Sequence, residues 1–84
     1  MIITSVKVHK TEKEGSAMKA SASVVLDDCF IIRDLKIIEG KERLFLSMPR
    51  RKLPDGTFRD IVNPLNAETR ELFENTILEE YKKL

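Results

Sequence analysis

Eighty-four residues carry a formal net charge of +1 and one cysteine, so the chain makes one domain, residues 1–84, that no internal disulfide can staple. One histidine (His9) and one cysteine (Cys29), far apart, exclude an ordinary zinc site. No apolar run approaches the ~18 residues of a membrane span, and the N-terminus lacks the charged start, apolar centre and cleavage site of a secretory leader.

A soluble cytoplasmic protein is therefore expected, with self-association adding the stability that so small a core lacks. Ile2–His9 alternates, with Ile2, Thr4, Val6 and Val8 on one face and Ser5, Lys7 and His9 on the other. That period of two reads as a half-buried strand. Lys10–Ser16 is polar with a glycine and reads as a loop. From Ala17 to Asp27, Met18, Ala20, Ala22, Val24 and Leu26 share a face. The alanines suggest close packing, as by a helix laid across a sheet. Asp27-Asp28 reads as a turn, and Cys29 beyond it as a small buried hydrophobe rather than a nucleophile.

Phe30–Glu39 is β-branched and apolar on both faces, which fits a central strand or an interface. Arg43–Met48 sets Leu44, Leu46 and Met48 against Phe45. Pro49–Thr57 reads as a loop with a Pro54-Asp55-Gly56 turn, and Phe58–Val62 as a short fifth strand ended by Asn63-Pro64. In the tail, Asn66 is the expected N-cap and Glu68 suits the helix dipole. Leu72, Phe73, Ile77, Leu78, Tyr81 and Leu84 repeat at helical spacing and mark one apolar face. The fold class expected is α+β: an antiparallel meander of about five strands followed by a C-terminal α-helix.

Catalysis has little to work with. His9 has no motif-supported nucleophile beside it, the acidic pairs lack metal-loop spacing, and the three glycines are too scattered to cradle phosphate. No enzyme, cofactor or small-molecule substrate is expected. Charge is distributed unevenly: residues 1–40 balance six cations against six anions, residues 41–59 carry six against two, and residues 60–84 carry three against six. The middle is thus basic, and the segment Pro49-Arg50-Arg51-Lys52-Leu53-Pro54 places three cations between two prolines, with Arg59 following. Arginine can fork onto phosphate oxygens or a guanine edge, and prolines reduce the entropy lost on binding. The bland alternative is a solvated loop, and internal pairing of Asp55 or Asp60 with Arg51 or Arg59 would weaken the patch.

Phe45-Leu-Ser-Met-Pro-Arg-Arg-Lys-Leu-Pro-Asp-Gly-Thr-Phe-Arg-Asp-Ile-Val-Asn-Pro64 resembles the signature of the stage V sporulation protein G family. Ile3-Thr-Ser-Val-Lys-Val, Ala20-Ser-Ala-Ser-Val-Val-Leu-Asp and Phe30–Gly40 resemble its first three strands. The likeness covers essentially the whole chain. It implies dimers with an antiparallel sheet and a helical C-terminus, which bind DNA and RNA, regulate globally and are linked to septation and sporulation. The resemblance carries the basic-loop role to Arg50, Arg51 and Lys52, and to Arg59. Asn63 stands where relatives often have His, and the chain ends at Leu84, short of the tail some members carry, so no role is expected for either feature. The partners expected are DNA or RNA, and a second copy joined through sheet edges; no membrane is expected. A protein-interaction factor at the division septum is the alternative.

Overall fold

A computed structural model describes residues 2–11 and 15–84. Four strands form an antiparallel meander: β1 (Ile3–Lys10), β2 (Met18–Leu26), β3 (Phe30–Glu39) and β4 (Leu44–Ser47). Two short strands, β5 (Arg50–Lys52) and β6 (Phe58–Asp60), pair only with each other as a ribbon. One helix, α1 (Ala67–Lys82), closes the chain. The α+β class is as expected, but its strands divide into a sheet of four and a ribbon of two.

The core lies on one face of the sheet. Ala20, Ala22, Val24 and Leu26 come from β2, Ile32, Leu35 and Ile37 from β3, and Leu46 from β4, with Met48 just beyond it. Phe73 and Ile77, one helical turn apart on α1, join the same cluster. Burial of side chains the size of Leu35, Ile37 or Ile77 stabilises by about 1.5–3 kcal/mol each. β3 is central, between β2 and β4, which accounts for its density of apolar residues.

Bulges correct the simple alternation. The β1–β2 register shifts between Ile3 and Ser5, so Ile3 joins Val6 and Val8 against the core, while Ile2 and Thr4 are exposed. The Thr4 hydroxyl donates to the Val25 carbonyl (3.2 Å) and accepts from the Asp28 N–H (3.0 Å), which ties the strand start to the β2–β3 turn. A second shift, between Ala22 and Val24, matches Asp34 at φ 64° and lets Ile32 and Leu35 both face inward.

The Asp27-Asp28 turn forms as expected, both residues at positive φ (49° and 54°). Cys29 is not a buried hydrophobe: it completes this turn and is exposed. Of the loop read over Lys10–Ser16, residues 12–14 lie outside the described residues; Lys10 extends β1. Asn66 caps α1, its side-chain oxygen accepting from the Thr69 N–H at 2.8 Å. The apolar face of α1 is narrower than its spacing implies. Phe73 and Ile77 are buried and Leu78 and Tyr81 half-buried, but Leu72 and Leu84 are exposed, because a straight helix meets a sheet along one stripe.

Candidate nucleic-acid interface

The basic segment expected to be a loop is the β5–β6 ribbon. Pro49, buried beside Met48, fixes its root, and the Ile61 N–H donates to the Pro49 carbonyl at 2.8 Å. At the tip, the Gly56 N–H donates to the Leu53 carbonyl (3.0 Å) and the Leu53 N–H to the Thr57 carbonyl (2.7 Å). Gly56 sits at φ 91°, where a side chain would be strained, and Pro54 presets the turn's first corner. The Asp55 carboxylate accepts from the Thr57 hydroxyl (2.7 Å) and backbone N–H (3.0 Å). These bonds hold its pKa below the ordinary carboxylate value.

The turn fixes the register. Arg50 pairs with Asp60, Arg51 with Arg59, and Lys52 with Phe58. Directly opposed residues project to the same side, so Arg51 and Arg59 share one face and Arg50, Lys52, Phe58 and Asp60 the other. All six strand residues are exposed. The Arg50 Nε lies 3.2 Å from the Asp60 Oδ1. Neither acid stands as expected: Asp60 takes Arg50 rather than Arg51 or Arg59, and Asp55 is occupied by Thr57. The first outcome follows from the register that sets Arg50 opposite Asp60, the second from the turn, where an aspartate side chain accepts from the backbone two residues on.

Arg51 and Arg59 thus stand opposed, with no ion pair at either among the described residues. They line a shallow cleft of about 330 Å³ together with Leu53, Asp60 and Ile61. Like charges placed directly opposite on a ribbon repel, and an anion between them relieves the repulsion. The ribbon therefore gathers all four expected cations but divides their work: Arg51 and Arg59 form a fork, Lys52 projects from the other side, and Arg50 is held by a carboxylate. Asp60 as the partner of Arg50 was missed by the sequence reading, although counting outward from Pro54-Asp55-Gly56 in a hairpin pairs position 50 with 60.

Elsewhere the chemistry is sparse. His9 is exposed on β1 opposite Ser21. Among the described residues no group of three His, Cys, Asp or Glu side chains could hold a metal, and no helix is long and apolar enough to cross a membrane.

Residues 1–83 match the family described as SpoVG. The protein of Agathobacter rectalis named "Putative septation protein SpoVG" is 51% identical over 82 residues, covering 98% of this chain and 93% of its own. The relative of the same name from Clostridium perfringens is 49% identical over 84 residues, 100% of this chain and 92% of that one. One from an Anaeromyxobacter species is 51% identical over 83 residues, 99% and 84% of the two chains. With a family match over nearly its whole length and relatives at about half identity, the chain belongs to the SpoVG family.

Proposed function

We propose that this protein is a nucleic-acid-binding regulator linked to septation and sporulation, which grips the phosphate backbone of DNA or RNA with the β5–β6 ribbon. The observation that carries this reading is the opposition of Arg51 and Arg59 on an exposed ribbon, two guanidiniums with no carboxylate partner among the described residues. Lys52 adds a third cation, and Arg50 a fourth when Asp60 releases it. The septation link rests on the name its relatives carry. The protein acts by binding, in the cytoplasm, with no catalytic step, cofactor or small-molecule substrate.

It works as a homodimer. Leu65 is 96% exposed beside an apolar pocket of about 300 Å³ lined by Leu26, Ile32, Met48, Val62, Pro64 and Phe73. The edges of the sheet, β1 and β4, have unpaired backbone groups that a second copy can engage. A species of ~10 kDa by light scattering at micromolar concentration contradicts the dimer.

One observation favours a second reading, a protein-interaction factor at the division septum. Phe58, Ile61 and Leu65 are all exposed on or just after the ribbon, where apolar contact with a partner protein is possible. Salt separates the two. With Arg51, Arg59 and Lys52 on phosphates in each half of a dimer, about six contacts form. Affinity then falls on the order of 10³-fold between 50 and 200 mM salt. A gel-shift titration at these two concentrations gives that loss if the ribbon binds nucleic acid; no shift at either leaves the interaction factor.

A further inference from the structure

The four-stranded sheet has two faces, and α1 covers only one. The cross-strand register defines the other. His9 pairs with Ser21, Ser21 with Lys36, and Lys36 with Ser47, so a single row of side chains crosses all four strands on the side away from the core. At about 4.8 Å per strand, this row is about 14 Å long. Lys7, opposite Ser23, lies alongside it. On its other flank Ile38 and Phe45 form the next pair. Lys7, His9 and Lys36 are exposed, and Phe45 is 39% exposed.

A methyl group placed on Gly40 would come within 3.2 Å of the Phe45 Cε1 and 3.0 Å of the Arg43 carbonyl oxygen, so one side of the ring lies close to the Gly40 backbone. The rows named contain no carboxylate. Among the described residues, the acids beside these rows are Glu39, whose Oε2 lies 3.1 Å from the Lys19 Nζ, and Asp34 at the β3 bulge.

The face thus combines two lysines, a histidine, serine hydroxyls and a partly exposed aromatic ring. We propose that the sheet face turned away from α1 binds single-stranded nucleic acid, with Lys7, His9 and Lys36 meeting phosphates and Phe45 stacking on a base. Bases in a single strand are free to lie on an aromatic ring while the backbone follows cations; in a duplex they are stacked on one another and unavailable. A second copy is a poor occupant for the same face, because Lys7, His9 and Lys36 would oppose their own counterparts with no carboxylate in the rows to meet them. The site is separate from the ribbon and does not depend on the ribbon's role.

The test compares the full-length protein with Lys7→Ala/Lys36→Ala, Phe45→Ala and Arg50→Ala/Arg51→Ala/Lys52→Ala. Fluorescence anisotropy is read with labelled oligouridine, oligothymidine and a DNA duplex of equal length. The double lysine variant should lose on the order of ten-fold in affinity for both single strands, with a salt slope flatter by about 1.4. Phe45→Ala should lose a comparable factor for the single strands, and both should bind duplex like the parent. Phe45→Leu, which keeps an apolar side chain and removes the ring, replaces Phe45→Ala if the circular dichroism of the latter shows loss of fold. Failure of the parent to bind either single strand overturns the proposal, as do sheet-face variants within two-fold of the parent on single strands. Equal losses on duplex, or a changed oligomeric state, overturn it as well. The ribbon variant reports separately: unchanged duplex binding there counts against the ribbon alone.

Discussion

Arg50 and Asp60 face each other across the β5–β6 ribbon, Nε to Oδ1 at 3.2 Å, and that one pair sets the electrostatics of the basic segment. Both side chains are well exposed, so the pair stabilises by about 0.2–1 kcal/mol and screens readily. Its greater effect is to withhold one arginine from any polyanion. Asp60→Asn should therefore tighten nucleic-acid binding and steepen the salt dependence by about one phosphate contact in each half of the dimer, near 1.8 in slope. The melting temperature should hardly move. A filter-binding salt titration checks this, and an unchanged slope means that Arg50 already reaches phosphate despite Asp60.

Arg51 and Arg59 make the opposite case, since they repel each other in the free protein. Arg51→Ala and Arg59→Ala should each weaken binding to all sequences alike and flatten the slope by about 0.9 per phosphate lost. Neither should destabilise the fold, and relief of repulsion should raise stability by a few tenths of a kcal/mol. Denaturant unfolding beside binding isolates the two effects. A loss of stability above about 1 kcal/mol would assign the arginines a structural role instead.

The strands of the sheet were legible because one buried face imposes a period of two, and β3 matches its expected span of Phe30–Glu39. The bulges were not. An extra residue at Thr4 or near Asp34 leaves the apolar content unchanged while it turns every later side chain over. Cys29 was misplaced for a related reason: Asp27-Asp28 showed that the chain turns, but not that a third residue belongs to the turn. In the candidate site the four cations and the Pro54-Asp55-Gly56 tip could be read directly. Their division between two faces could not, because Arg50–Lys52 has no apolar residue to betray a strand.

Asp55 offers a pH-dependent reading of the ribbon's tip. Hydrogen bonds from the Thr57 hydroxyl and N–H favour its ionised form and lower its pKa from the unperturbed 3.8. A depressed carboxylate pKa means that the tip's stabilisation is complete above 3.8 and lost as pH falls through the lower, folded value. Titration of the Asp55 side-chain carbon by NMR should give a midpoint under 3.8, and Thr57→Ala should move it back toward 3.8. The same midpoint in both proteins would remove the Thr57 hydroxyl as the cause.

Leu72 and Phe73 are neighbours on α1 and look equivalent in sequence, yet Phe73 is 4% exposed and Leu72 is 43% exposed. The difference separates core packing from a surface free to meet a partner. Phe73 joins Ile77 in the buried cluster and lines the apolar pocket beside Leu26, Ile32 and Met48. Phe73→Ala should therefore cost about 3–5 kcal/mol, through lost burial and an unfilled cavity. That is a large share of the stability of a domain this small. Leu72→Ala should cost less than about 1 kcal/mol, as at exposed positions generally. Urea unfolding of both variants measures the contrast, and the Phe73 variant should show a lower midpoint at a similar m-value. Comparable costs at the two positions would mean that Leu72 is covered in solution, and light scattering of Leu72→Ala against the parent would then show whether a second copy covers it.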